Sequence, residues 1–435
     1  MNTKITMNQK MNQKMNQKVT RSLLLAIISS LVFIQSCNNP QTEGSPTENS
    51  SQTANTTQTA ANNPEAVTEA PTATPNPEPK PDPLAQFDLE KSAKLTDTAK
   101  LIAGMKIEDA SSLAAIQNTT AWKNHAQYFQ KGWPQLENQQ LAKVRKWTEA
   151  ELKTINESSP KIFYPFSGPD FLYAYSFFPN AKEYVMIGLE PVGTVPDLQN
   201  MSDAQRSQQL EIINQSLYAI LEYSFFRTKA MAVDLAKQGV LPVLLLFLAR
   251  TNNQILDVQY VGLDAEAKIQ ILATSTTPAG MIPGVKISFL PAGESEPKTL
   301  HYFSTDLSND GLKKTPQLVE FAQAYAQDSV TYLKAASYLM YNESFSTIRD
   351  LILNQSYAVL QDDSGMPVKH FDEAKWERKF YGQYIAPIDL FASRYQADLR
   401  KIYQTDKTIQ PLDFGIGYKF YKDSNLMLAT RKAAQ

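Results

Sequence analysis

Few side chains in these 435 residues have a type and spacing that point to chemistry. The three histidines, His125, His301 and His370, are isolated along the chain, and each reads as a packed or surface histidine. Cys37 is the single cysteine, which excludes an intramolecular disulfide, Cys-based zinc sites and dithiol redox chemistry. Asp306-Leu307-Ser308-Asn309-Asp310-Gly311 matches the first half of a calcium loop. The twelfth position is Gln317, and Lys313 and Lys314 oppose a divalent ion, so the stretch reads as a polar turn after a strand. Asp362 and Asp363 are adjacent carboxylates, but Asp362-Asp363-Ser364-Gly365 already reads as a hairpin turn. Ser167-Gly168 lies where a strand gives way to a helix, a place hydrolases use for a nucleophile. It lacks the flanking glycines and a partner histidine, and is read as a helix cap. Tyr325, Tyr332, Tyr338 and Tyr341 fall on one expected helical stretch, as a stacking surface for glycans or peptides or as core. Phosphate-cradle, zincin and nucleophile-elbow patterns are absent. No catalytic, cofactor or metal residue is assigned, and no cofactor is expected.

The elements that would position these residues follow from periodicity and punctuation. Helix is expected over 96–104, stopped by Gly104, and over most of 120–156, where Gly132-Trp133-Pro134 splits it with Pro134 in the first turn of the second part. Strands are expected at 162–166 and 184–189 around a short aromatic helix at 171–178. In the turn between them, Gly168 is permissive, Pro169 has a preset φ and Asp170 suits the positive helix end. Ser202-Asp203-Ala204-Gln205 is a capping box that opens a helix running to Gly239. Residues 244–251 and 254–261 read as two β runs around Asn252-Asn253, with a helix from Pro242 as the competing reading. Residues 285–290 and 298–304 form a hairpin. Helix is then expected from Thr315 through Tyr341, over 344–353 and over 390–403. Strands at 357–361 and 366–371 flank the Asp362-Asp363 turn, and 414–420 is the last strand. Tight turns between neighbouring strands imply an α+β fold, with helices packed on a mostly antiparallel sheet.

The N-terminal segment is an export signal. Lys4, Lys10, Lys14, Lys18 and Arg21 precede an apolar run over 23–34 that is too short to span a bilayer. The threefold MNQK over 7–18 belongs to that leader. Residues 38–86 are rich in Thr, Pro, Asn, Glu and Ala. They contain no aromatic residue and almost nothing aliphatic, the composition of a disordered spacer. Extended, the spacer reaches on the order of 100 Å or more. Without the five leader cations, 37 basic residues face 44 acidic ones, a net charge of −7 that disfavours nucleic-acid binding.

Ile34-Gln35-Ser36-Cys37 ends the apolar run and resembles the lipobox of bacterial lipoproteins. The resemblance implies that Cys37 is acylated and becomes the mature N-terminus, so that the chain is tied to a membrane of the bacterial envelope and faces the periplasm or the exterior. The wording of 160–191, with the Leu360-Gln361-Asp362-Asp363-Ser364-Gly365 turn and the Phe414-Gly415-Ile416-Gly417-Tyr418 segment, resembles a group of uncharacterised exported bacterial proteins. That resemblance covers most of the folded part and implies no activity. The expected organisation is a signal peptide over 1–36, a lipidated cysteine and tether over 37–86, a helical region over 87–156 and a main α+β domain over 157–435. The expected function is non-catalytic binding of an envelope or extracellular partner, with an envelope hydrolase of glycan, lipid or peptide as the alternative.

Overall fold

The centre of the fold is built from strands with no exposed face. The structure, a computed structural model, describes residues 82–223, 238–420 and 423–433. Its strands are β1 (Lys161–Pro165), β2 (Glu183–Gly188), β3 (Asn253–Leu263), β4 (Ile269–Ile271), β5 (Ile282–Pro291), β6 (Lys298–Ser304), β7 (Val330–Leu333), β8 (Ala358–Gln361), β9 (Trp376–Gly382) and β10 (Asn425–Arg431). They form one sheet in the order β4-β3-β5-β6-β2-β1-β7-β8-β10-β9. Five of its nine pairings are antiparallel, and they occupy the two flanks. The four pairings among β6, β2, β1, β7 and β8 are parallel. The protein is therefore α+β with a mostly antiparallel sheet, as read from the sequence, and the parallel centre is added by the structure.

Alternation across that centre sends Ile162, Tyr164, Tyr184, Met186, Tyr302 and Tyr332 into one core and Phe163, Val185, Ile187, Phe303, Leu333 and Val359 into another. Helices cover both faces. Against the first lie α1 (Leu89–Ile102), α2 (Thr120–Leu136), α3 (Ala142–Glu151), α5 (Phe171–Phe177), α6 (Asp203–Tyr223) and α7 (Leu241–Arg250), with the single turn α4 (Lys153–Glu157) after α3. Against the second lie α8 (Asn309–Lys314), α9 (Pro316–Ala326), α10 (Ser346–Gln355) and α11 (Ala397–Thr405). The residues of 87–156 thus contribute to the same core as the sheet. Helix α1 is seated on a β-bulge of β3, where Ser92 Oγ donates to the Ile255 carbonyl (2.7 Å) and the Ile255 amide donates to Thr96 Oγ1 (2.9 Å). Side chains of the helix thereby satisfy backbone groups at the irregular step of the ladder.

Several expectations hold. The capping box forms, with the Ser202 amide donating to Gln205 Oε1 (2.9 Å) and the Gln205 amide to Ser202 Oγ (3.3 Å). The 285–304 hairpin is β5–β6. Gly104, at φ +63°, ends the first helix. Others are corrected. Residues 244–250 belong to α7, as in the competing reading of a helix from Pro242, with Thr251 at its C-cap; a helix that is apolar all round shows no periodicity. The helix expected from Thr315 through Tyr341 ends at Ala326, and Val330–Leu333 is the parallel strand β7, too short and too uniformly buried to announce itself. The four tyrosines therefore share no helical face. Pro134 lies inside α2, and the break comes one turn later in a π-helical turn at Glu137–Leu141. Residues 366–371 and 414–420 are not strands. Gly415 and Gly417 fold the latter tightly on itself, since a Cβ on Gly415 would lie 2.4 Å from the Lys419 carbonyl oxygen. The leader, Cys37, the spacer up to residue 81 and the part of the expected helix over 224–237 lie outside the described residues.

Candidate functional site

The carboxyl ends of β1, β2, β6 and β7 open on one cavity of about 140 Å³. From β1 the chain runs through α5 to β2 on one side, and returns much later to place β7 on the other. The gap beyond β1 and β7 is thus a topological switch point, where loops diverge and open sheets bind ligands. The β1 loop contributes Ser167, Gly168 and Asp170; Phe166 (φ +61°) and Gly168 (φ +51°) bend it sharply. The β2 loop contributes Gly188 and Glu190, the β6 loop Asp306, and the β7 loop Lys334 and Ala335. Leu339, Phe345 and Tyr418 complete the walls. The inner end is polar and buried, whereas the outer end includes Leu189 and Leu339, both exposed.

Asp170 and Lys334 form an ion pair, each side chain only 3% exposed. Tyr164 Oη donates to Asp170 Oδ2 (2.9 Å), and Lys334 Nζ lies 3.9 Å from the centre of the Tyr173 ring. Burial pushes the Asp170 carboxyl up, against the pull of Lys334 and Tyr164. Burial likewise pushes the Lys334 ammonium down, against Asp170 and Asp362. Desolvation thus outweighs the mutual attraction for both partners. Asp170 lines the cavity, but its Oδ1 is buried away from solvent and makes no hydrogen bond of ordinary geometry. Glu190 is also buried; a Cβ on Gly188 would lie 2.7 Å from its Oε2, so glycine is required for that carboxyl to sit there. Its acid is held above the usual range, chiefly by burial.

The ionic cluster continues behind the cavity at the end of β8. Asp362 accepts from the Ser364 amide (3.0 Å) and from the Ser364 hydroxyl. Burial, and then the neighbouring Asp363, push its carboxyl up to about 7. Asp363 accepts from Tyr338 Oη (2.7 Å) and Asn425 Nδ2 (2.9 Å), and its Oδ1 lies 3.5 Å from Lys419 Nζ. Gly417, at φ +58°, passes between the halves: a Cβ there would lie 2.9 Å from Asp362 Oδ2 and 3.3 Å from Lys334 Cγ. The 414–418 segment therefore threads a charged interior.

These positions correct the sequence reading of Asp362 and Asp363. Both face the interior, and no hairpin explains them. Ser167 makes no helix cap: its hydroxyl donates to the carbonyls of Gly168 (2.9 Å) and Ile187 (3.2 Å) on the cavity wall. Asp170, expected at the helix start, makes no capping bond and is turned to Lys334. The Asp306 loop is a polar turn that starts α8: Asp306 accepts from Ser308, whose Oγ accepts from the Gly311 amide. None of the three histidines lines the cavity. His125 is buried with Nε2 2.8 Å from the Ile102 carbonyl oxygen, and burial lowers it to about 4. His301 Nδ1 lies 3.2 Å from Glu183 Oε1, at the amino end of β2. His370 is half-buried and lowered by burial and by Arg349. Among the described residues no group of three or more His, Cys, Asp or Glu side chains is placed to hold a metal ion. Lys334, Lys419 and Glu190 were missed from sequence; the available signal was a lone charge directly after an apolar run, as in Val330-Thr331-Tyr332-Leu333-Lys334.

No protein-family model, no curated protein and no solved structure matches the chain. Among the described residues no helix is long and apolar enough to cross a membrane.

Proposed function

We propose that this chain is a lipid-anchored protein of the bacterial envelope, tethered through Cys37, whose folded part binds a small ligand in the crevice beyond β1 and β7. The observation that carries the binding reading is Glu190: a buried carboxyl on the wall of a cavity at a switch point, with no ion pair among the described residues. A buried acid left without a cation is expensive unless something completes it. The hydrolase alternative draws less support, because the Ser167 proton is directed at carbonyl oxygens and no described lining residue is a base of the histidine type.

Ligand-observed NMR on the full chain tests the reading, with a panel of small cations, neutral molecules and anions. Leu339→Trp narrows the mouth at an exposed position. At least one class should bind the parent chain and be lost from the variant. Binding by no class, or binding that survives the variant unchanged, refutes a ligand site in this crevice.

A further inference from the structure

We propose that the cavity selects a small organic cation, an ammonium group on an apolar body of about benzene size, with the ammonium directed at Glu190. The proposal rests on reading the crevice as a ligand site and adds the chemistry of the ligand.

Three facts carry it. First, the charged residues on the wall are Asp170, Glu190 and Asp306 against Lys334 alone. Lys334 is already matched by Asp170, so no cation is left over for an anionic ligand. Second, the side-chain donors at the inner end are committed: Tyr164 donates to Asp170, and Ser167 donates to backbone carbonyls. The Glu190 carboxylate on the wall only accepts, so the ligand must bring the hydrogens. Third, the remaining walls are largely apolar and aromatic, with Phe166 and Phe345 in edge contact at 5.9 Å and Leu189, Leu339 and Tyr418 beside them in the lining. Aromatic faces favour a cation passing inward and then cover its apolar body. A volume of about 140 Å³ suits such a body, since an engineered protein cavity of about 150 Å³ takes benzene.

Calorimetric titration of the full chain at pH 7.5 with benzylammonium, benzyl alcohol and benzoate tests the proposal. Benzylammonium should bind at least tenfold more tightly than benzyl alcohol, and benzoate should give no heat. Glu190→Gln keeps the side-chain shape and should weaken benzylammonium at least fivefold while leaving benzyl alcohol unchanged. Should Glu190→Gln fail to fold, by circular dichroism, Leu339→Trp at the mouth should abolish the benzylammonium heat. If benzoate or benzyl alcohol binds as tightly as benzylammonium, the cation selectivity is wrong and the ligand site stands. If none of the three binds, or if benzylammonium binds the Leu339→Trp chain unchanged, the cation site is refuted.

Discussion

Asp170 and Lys334 each expose only 3% of the side chain, so each ion is neutralised chiefly by the other. Asp170→Asn leaves the Lys334 ammonium buried without its anion, although the Tyr164 hydroxyl retains an oxygen to donate to. Removing one partner from a buried pair costs about 3–5 kcal/mol. Lys334 keeps the field of Asp362 and the face of Tyr173, which places the expected loss near the lower end. At about 2 °C per kcal/mol for a domain of this size, the melting temperature should fall by roughly 6–10 °C. Lys334→Met strands the carboxylate instead and should cost a similar amount. The double variant Asp170→Asn/Lys334→Met removes both ions and should recover at least half of the summed loss. The pH dependences oppose each other. Burial lowers Lys334 in the folded state, so the unfolded chain binds more protons and Asp170→Asn should gain stability as pH rises toward the ordinary lysine range. Burial raises Asp170, so Lys334→Met should gain stability as pH falls toward the ordinary carboxylate range. Calorimetric unfolding of the three variants between pH 5 and 10 reads all of this. Additive losses in the double variant, or slopes of the same sign in the two single variants, would refute the buried-pair argument.

Further outcomes follow from other parts of the structure. Asp362 is raised to about 7 in the folded chain from an ordinary value of 3.8, so it withdraws stability as pH rises between those values. Asp362→Asn should abolish that decline, gaining roughly 2–4 kcal/mol at pH 8 relative to pH 4, and an unchanged slope in denaturant titrations would show the assignment wrong. Gly193 and Gly239 cross backbone to backbone, where a Cβ on Gly193 would lie 1.8 Å from the Gln238 carbonyl oxygen. Gly193→Ala should therefore cost more than about 3 kcal/mol, and a soluble variant with parental melting temperature would overturn the crossing. Cys37→Ala should move the protein from the membrane to the soluble fraction of fractionated cells; retention in the membrane would refute the anchor.

What could be read in advance had local causes. The stop at Gly104 of the helix read from Thr96, which in fact begins at Leu89, the capping box at Ser202 and the β5–β6 hairpin depend on neighbours in the chain, and the chain states them. The misreadings cluster where burial is complete on every side. Helix α7 and strand β7 both read as unbroken apolar stretches, and nothing in such a stretch says which backbone will satisfy its own hydrogen bonds. Asp362 and Asp363 sit in a sequence that suits a solvated turn, and only the loops around it show that the turn points inward.

By itself the sequence determined the α+β class, the short strand–helix–strand around Phe171, the net acidity and the lipobox-like Cys37, because each is a matter of composition or of contacts within a few residues. Only the tertiary structure decided that the central strands run parallel and that their carboxyl ends converge. Convergence brings Asp170, Glu190, Lys334 and Asp362 together from four separate loops. Residues so far apart in the chain meet through the order of strands in a sheet, and local spacing carries no record of that order.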